Sequence, residues 1–286
     1  MVADNSLREI FKMRKILLAS TALVAMSVTA AQADINISGS VSFEVADDGN
    51  ATTYTDDSNL MVTGGRTMDN GVTAAVAMNF TGGAATENTE DAYIDLSGDF
   101  GSVRMGDTDD ALDRMDGVMP SNWDNEGIAQ AGTSHAIGGD LDGAISYISP
   151  NISGATVYGS ANAEGEQTGM GINYSAGPVT VMYQMGEDGG SDETMIAAEM
   201  RVAGLRVGFG QADVQAAGQG AKTKYRALGA EYAMGAATIT ATSQKLVGGD
   251  TYTNVGVEYS VAPGMTVVVE SGSQDDQNGT YAHLNV

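Results

Sequence analysis

Several residue types are scarce or absent in this chain of 286 residues. It contains no cysteine, which excludes a disulfide framework and a cysteine-ligated zinc site. Only four prolines accompany 38 glycines, a balance typical of many strands joined by turns. Basic residues number 13 against 37 acidic residues, so the net charge is −24 and nucleic acid is a poor partner.

Long hydrophobic runs are also missing, apart from one near the start of the chain. Residues 16–28 are apolar, follow the basic pair Arg14 and Lys15, and precede an Ala-Gln-Ala cleavage sequence at 31–33. This run is too short for a transmembrane helix and has the layout of an export signal. The sequence therefore predicts that residues 1–33 are an N-terminal extension and cleaved signal peptide.

The remainder, residues 34–286, is strongly acidic and is predicted to form one domain. Because residues 1–33 carry four of the basic and two of the acidic residues, 9 basic and 35 acidic residues remain. The resulting field attracts cations and repels anions. A merely well-solvated or halophilic surface would carry the same charge, so charge alone does not decide the function.

The repeated pattern after residue 34 has a period of two, which is typical of β-strands with two different faces. Alternation is clearest in residues 35–45 and recurs at hairpin spacing along the whole chain. In that first segment, one face consists of Ile35, Ile37, Gly39, Val41, Phe43 and Val45.

Seven short, turn-like connections alternate with eight longer polar ones, which predicts sixteen strands. Short turns at one end and long loops at the other are typical of a membrane barrel. A β-sandwich of this size usually has fewer strands, and a β-solenoid would show a fixed repeat length. The sequence thus favours an all-β fold: a transmembrane antiparallel up-and-down β-barrel of about 16 strands.

Three segments resemble the general, trimeric porins of Gram-negative outer membranes, most closely the α-proteobacterial branch. They are "DINISGSVSFEV" (34–45), "LSGDFGSVRMGD" (96–107) and "YISPNISGATVYGS" (147–160). The resemblance implies residence in outer-membrane lipid, a homotrimer, and a third loop that folds into the barrel and narrows the pore.

Residues 106–142 occupy the position of that third loop. An outward-hanging, solvated acidic loop is the alternative interpretation, but loops of this length are usually functional or disordered. The resemblance implies that its carboxylates line the constriction and that its tryptophan is a packing anchor. The candidates are Asp107, Asp109, Asp110, Asp113, Asp116, Trp123, Asp124 and Glu126.

The wall opposite this loop departs from the family pattern. Asp107 and Ile148 stand where many members carry arginine. We therefore expect a weaker and more negative field across the constriction, and a preference for cations, because rings of Asp and Glu favour cations. Strand parity predicts that the lumen wall carries Asp95, Arg104, Glu199, Arg201, Arg206, Glu231, Glu258 and Glu270.

The C-terminus and the aromatic content also depart from the family. Its members normally end in phenylalanine, whereas this chain ends in Val286, which predicts less efficient assembly. Aromatic residues make up 6% of the chain, so the aromatic girdles of a membrane barrel should be thin.

No motif for catalysis or for a cofactor is recognisable, so we do not expect an enzyme. His135 and His283 lie far apart, and no G-x-S-x-G sequence occurs. "DTDDALDRMDG" (107–117) offers oxygen ligands for Ca²⁺ but lacks the spacing of an EF-hand. A bound Ca²⁺ is a weak expectation here, and no metal site is assigned.

The sequence thus predicts an outer-membrane porin for passive diffusion of ions and small hydrophilic solutes, with a preference for cations. The alternative is a non-conducting structural or adhesive outer-membrane β-protein, stabilised by Ca²⁺.

Overall fold

A computed structural model describes residues 24–26, 34–47, 52–83, 87–115, 117–118, 140–162, 167–249, 251–274 and 277–286. One turn of 3-10 helix, Asp113–Met115, lies among seventeen strands. In chain order the strands are β1 (Val24–Met26), β2 (Asp34–Asp47), β3 (Thr52–Thr67), β4 (Thr73–Gly83), β5 (Glu87–Gly98), β6 (Gly101–Asp109), β7 (Asp140–Ile148), β8 (Ala155–Asn162), β9 (Gln167–Ala176), β10 (Val179–Asp188), β11 (Ser191–Val202), β12 (Leu205–Gln215), β13 (Thr223–Met234), β14 (Ala237–Leu246), β15 (Thr251–Ala262), β16 (Met265–Gln274) and β17 (Gln277–Asn285).

Strands β2 to β17 form a closed antiparallel barrel. Each strand pairs with its neighbours in the chain, and β17 pairs with β2 over Thr280–Asn285 and Ser42–Asp47. The predicted sixteen-stranded up-and-down barrel is therefore confirmed. The short β1 pairs with residues 35–37 of β2. It lies within the segment predicted to be cleaved, and that cleavage stays a prediction.

The barrel has its apolar side chains on the outside. In β15, Val255 and Val257 are exposed on the outward face. Asn254, the residue before Val255, is buried on the inward face. The same alternation gives β10 an exposed Tyr183 beside a buried Gln184. Such a distribution suits a wall with hydrocarbon outside and a polar interior, as in transmembrane barrels.

Within the described ranges, no helix is both long and apolar enough to cross a membrane.

The two ends of the barrel differ in their connections. Between β11 and β12, only Ala203 and Gly204 form the turn, and both have positive φ, at 50° and 82°. Two central residues with positive φ define the tight hairpin turns that match strand twist. At the opposite end, β6 and β7 are separated by residues 110–139. In outer-membrane barrels the long connections face the exterior, which orients the chain.

The pairing of β6 with β7 corrects one boundary in the sequence prediction. The strand does not end at Gly106, because its pairing with β7 continues to Asp109 after a register shift between Gly106 and Thr108. The predicted loop residues Asp107 and Asp109 therefore lie in the barrel wall. The extra residue of this shift belongs to β7, between Leu141 and Ala144. Strand β6 itself continues, but its last outward positions are Asp107 and Asp109, so no apolar alternation could reveal them.

Gly106 borders this bulge, at a position that requires glycine. Its φ is 138°, and a side chain there would collide with the carbonyl oxygen of Ala92 on β5. Glycine alone tolerates this combination of dihedral angle and close backbone approach.

We predict that Gly106→Ala destabilises the barrel by about 1–3 kcal/mol, the usual cost of a strained backbone position. The measurement is the temperature at which the protein loses its compact migration on a semi-denaturing gel. Gly220→Ala is the matched control, because Gly220 has open space around it and no positive φ. Equal transition temperatures for the two variants would contradict this account of the bulge.

Candidate pore constriction

The first part of the third loop lies inside the barrel. Directly after β6, the side chains of Asp110, Ala111 and Leu112 are at most 3% exposed, and Val118 is 4% exposed. A loop that hung outwards into solvent could not bury an unbroken run of side chains in this way. The described loop residues 110–115, 117 and 118 therefore follow the predicted inward path.

The first anchor of the loop is apolar. Ala111 and Leu112 form a buried cluster with Tyr158 of β8, and Met115 and Ile148 pack against it. Ile148 is one of the two positions where the family resemblance leads us to expect arginine. In this chain that position therefore contributes an apolar contact to the loop instead of a charge.

Gly169 of β9 provides room for this anchor. A methyl group at Gly169 would collide with Cδ1 of Leu112. The wall is therefore shaped to accept the leucine side chain at this height.

The second anchor is formed by Val118 further along the loop. It packs with Met182, Met195, Ala197 and Ala212, which project inwards from β10, β11 and β12. Together the two anchors fix the loop against the wall from β7 to β12.

Hydrogen bonds from the wall hold the backbone of the loop between these anchors. Gln184 donates from Nε2 to the carbonyl oxygen of Leu112 at 2.8 Å, and Asn173 donates from Nδ2 to that of Met115 at 2.9 Å. The guanidinium of Arg206 donates to the carbonyl oxygen of Gly117. These contacts bind main-chain groups, so they fix the path of the loop.

A group of charges lies where the loop leaves β6. The guanidinium of Arg104 lies 3.2 Å from a carboxylate oxygen of Asp95 on β5 and stacks over the Tyr93 ring at 3.8 Å. Arg114 of the loop approaches the same carboxylate oxygen at 3.9 Å and donates to Ser146 Oγ at 2.9 Å. One carboxylate thus faces two guanidinium groups.

Arg114 is a functional candidate that the sequence analysis missed. Burial lowers the pKa of Arg114, the charge of Arg104 lowers it further, and Asp95 opposes both. A guanidinium nevertheless stays protonated at neutral pH. The loop therefore brings a cation to a carboxylate of the wall, whereas the family resemblance implies loop carboxylates facing a basic wall.

A second charged group surrounds the buried Glu199 of β11. Its two carboxylate oxygens lie 2.7 Å from Nε of Arg201 and 2.6 Å from Nε of Arg206. Arg206 also lies 3.8 Å from Glu231 of β13. Since Arg206 contacts the loop as well, this group links the wall to the second anchor.

The structure places the predicted wall residues on the inward face of their strands. These are Asp95, Arg104, Glu199, Arg201, Arg206, Glu231, Glu258 and Glu270. Their role in transport stays a prediction.

The predicted loop residues have different positions. Asp110 is buried and accepts a hydrogen bond from the backbone nitrogen of Asp113 at 2.8 Å, so it stabilises the turn. Asp107 and Asp109 belong to β6, as described above. Four further candidates lie outside the described residues: Asp116, Trp123, Asp124 and Glu126.

A closed sixteen-stranded barrel with an apolar exterior and an inward loop defines a membrane channel. A family model of Gram-negative porins matches residues 19–279. The chain therefore belongs to the Gram-negative porin family, as the sequence resemblance suggested.

Solved structures share this fold at low sequence identity. A triple mutant of the Rhodopseudomonas blastica porin is 17% identical, with a TM-score of 0.74 over 88% of this chain and 99% of the other. A loop-deletion mutant of OmpT, an outer membrane protein of Vibrio cholerae, is 14% identical, with a TM-score of 0.73 over 89% and 99%. No curated protein sequence matches the chain.

Family membership places the protein in the outer membrane as a porin channel. Porins in general are not enzymes.

We predict that Leu112→Ala loosens the loop, because removing a buried leucine side chain typically costs about 2–5 kcal/mol. Compared with the unaltered protein, single-channel recordings should show more current noise in the open state. The backbone amide hydrogens of residues 110–118 should also exchange faster with solvent.

Leu228→Ala is the matched control, since Leu228 lies exposed on the outward face. If the two variants gave identical open-channel noise and exchange, Leu112 would not be an anchor.

Proposed function

We propose that the barrel is a water-filled channel that passes ions and small hydrophilic solutes by passive diffusion and prefers cations. The observation that carries this proposal is the excess of carboxylates on the inward face. Five of the eight wall residues named above are acidic and three are basic. Rings of acidic side chains favour cations in channels.

Ion pairing leaves a small excess of negative charge, because five wall carboxylates face three wall arginines and Arg114 of the loop. Arg104 and Arg114 share Asp95, whereas Arg201 and Arg206 lie beside Glu199, and Arg206 also lies near Glu231. Glu258, in contrast, has no cationic side chain within ion-pair distance among the described residues. The part of the wall charge that is not cancelled is therefore negative.

The proposed assembly is a homotrimer in outer-membrane lipid. Its support is the resemblance to the trimeric general porins. Calcium at the acidic third loop stays a weak prediction: the described residues contain no group of three or more His, Cys, Asp or Glu side chains that could hold a metal ion.

The experiment that tests the channel is insertion of the purified protein into a planar lipid bilayer. Stepwise increases of conductance are expected, and a KCl gradient should give a reversal potential of the sign for cation preference. A barrel that never conducts would favour the structural or adhesive alternative. Anion preference would contradict only the charge argument.

We predict that Asp95→Asn weakens cation preference, because Arg104 and Arg114 would lose their shared carboxylate. A unit charge about 4 Å from an ion is worth about 1 kcal/mol in water, so K⁺ permeability should fall by roughly fivefold and the K⁺/Cl⁻ permeability ratio should fall by at least as much.

Asp69→Asn is the matched control, because Asp69 lies exposed in the short turn between β3 and β4. The measurement is the reversal potential in the same KCl gradient. If Asp95→Asn left the ratio at the control value, the Asp95 group would not face the ion path.

A further inference from the structure

A group of buried polar side chains lies on the inward face of β14, β15 and β16. Thr240 is fully buried, Asn254 is 1% exposed, and Thr242 and Glu270 are buried as well. Strand alternation directs all four side chains towards the interior of the barrel. The two anchors of the third loop lie on β7 to β12, so this group belongs to a different part of the wall.

The register of the sheet brings these four residues together. Thr242 is directly opposite Asn254 on β15, and Thr240 is directly opposite Gly256. Gly256 in turn is directly opposite Glu270 on β16. Opposite residues lie about 5 Å apart, and residues two apart on one strand lie about 7 Å apart. The group therefore forms two neighbouring rows across three strands.

Gly256 makes room for the carboxylate of Glu270 within this group. A Cβ atom at Gly256 would lie 3.0 Å from both Cγ and Oε1 of Glu270. The Glu270 side chain therefore lies over Gly256, beside the strand that carries Thr240. It adds the acceptor oxygens of a carboxylate to the hydroxyl and amide groups of its neighbours.

Several polar atoms of the group have no partner in the chain. Oγ1 of Thr240, Oγ1 of Thr242, and both Oδ1 and Nδ2 of Asn254 make no hydrogen bond in the part of the chain that the structure describes. A buried donor or acceptor without a partner destabilises a fold, so buried polar groups usually have a partner in the chain or in a molecule bound to it. Three such side chains beside one another therefore indicate a site for a bound molecule.

The unpartnered atoms define the chemistry of that molecule. A threonine hydroxyl both donates and accepts, and the amide of Asn254 offers two donors and one acceptor. A bare cation would satisfy the oxygens but would be repelled by Nδ2 of Asn254. A hydroxyl group suits both kinds of atom, because it donates one hydrogen bond and accepts others. Since the two rows lie about 7 Å apart, a molecule with several hydroxyl groups can reach both.

We propose that Thr240, Thr242, Asn254 and Glu270 form a binding site for an uncharged solute with several hydroxyl groups, such as a monosaccharide. The inference rests on the proposed channel, because the solute reaches the inward face through the bore. A solute held at this site leaves more slowly than one that diffuses freely. Passage of such solutes should therefore saturate as their concentration rises.

The test measures binding of glucose to the detergent-purified full chain by saturation-transfer NMR. Glucose should bind saturably. Asn254→Leu should weaken its binding about fivefold, and Asn254→Leu with Thr240→Val about 25-fold, at roughly fivefold for each hydrogen bond lost. Fully O-methylated glucose, which cannot donate hydrogen bonds, should bind the unaltered chain at least about fivefold more weakly than glucose does.

Thr266→Val is the matched control for Thr240→Val. Thr266 lies on the inward face of β16, two residues before the buried Val268 and towards the short turns. The same substitution outside the site should leave glucose affinity unchanged. Compact gel migration of each variant shows that the barrel is folded.

Recording in a planar lipid bilayer separates this inference from the proposed channel. Glucose added to the unaltered open channel should cause brief reductions of current, which Asn254→Leu should shorten. A protein that conducts without any saturable glucose binding would overturn the site and leave the channel in place. A protein that never conducts would overturn the channel, and glucose binding in detergent would still decide whether the site exists.

Three further outcomes would contradict the proposal. The first is equal glucose affinity for the double variant and Thr266→Val. The second is equal affinity for glucose and its methylated derivative. The third is an absence of glucose binding together with a higher unfolding temperature of the double variant, which would assign the unpartnered atoms to ordered water only.

Discussion

The structure depends on one constraint: in hydrocarbon, no water is available to hydrogen-bond the backbone. Each unsatisfied N–H or C=O group there costs several kcal/mol, so a sheet that spans the membrane must have no free edge. Pairing of β17 with β2 meets this requirement. Closure then separates an outward face in lipid from an inward face in water, and the alternation of apolar and polar side chains follows from it.

The same constraint changes where tightly packed apolar groups occur. A soluble protein packs its interior with apolar side chains, whereas the interior of this barrel is mostly polar wall. The buried apolar clusters of the described residues lie under the third loop, around Leu112 and around Val118. Apolar packing inside the barrel therefore holds the third loop in place and does not hold the strands together. The charged groups around Asp95 and Glu199 lie beside these clusters on the polar inward face.

Much of the wall could be predicted from the sequence, because a period of two is all that a membrane strand requires. Alternation identified the strands and the inward direction of residues such as Glu199 and Glu270. The bulge at Gly106 could not be found in this way. Its extra residue lies on β7, while β6 continues past Gly106 with aspartates at its outward positions, so the strand appeared to end there and Asp107 was assigned to the loop although it belongs to the wall. Arg114 was missed because no periodicity operates in a loop, and its partner Asp95 is brought close only by the fold.

Ile148 affects how the attachment of the third loop depends on salt concentration. Electrostatic attachments weaken as dissolved ions screen them, with a screening length of about 10 Å at 0.1 M and 3 Å at 1 M. The contacts that Ile148, Tyr158 and Leu112 make with one another carry no charge, so added electrolyte does not loosen them. This anchor of the loop would therefore hold in fresh and in brackish water alike, whereas the proposed preference for cations would fade with salinity.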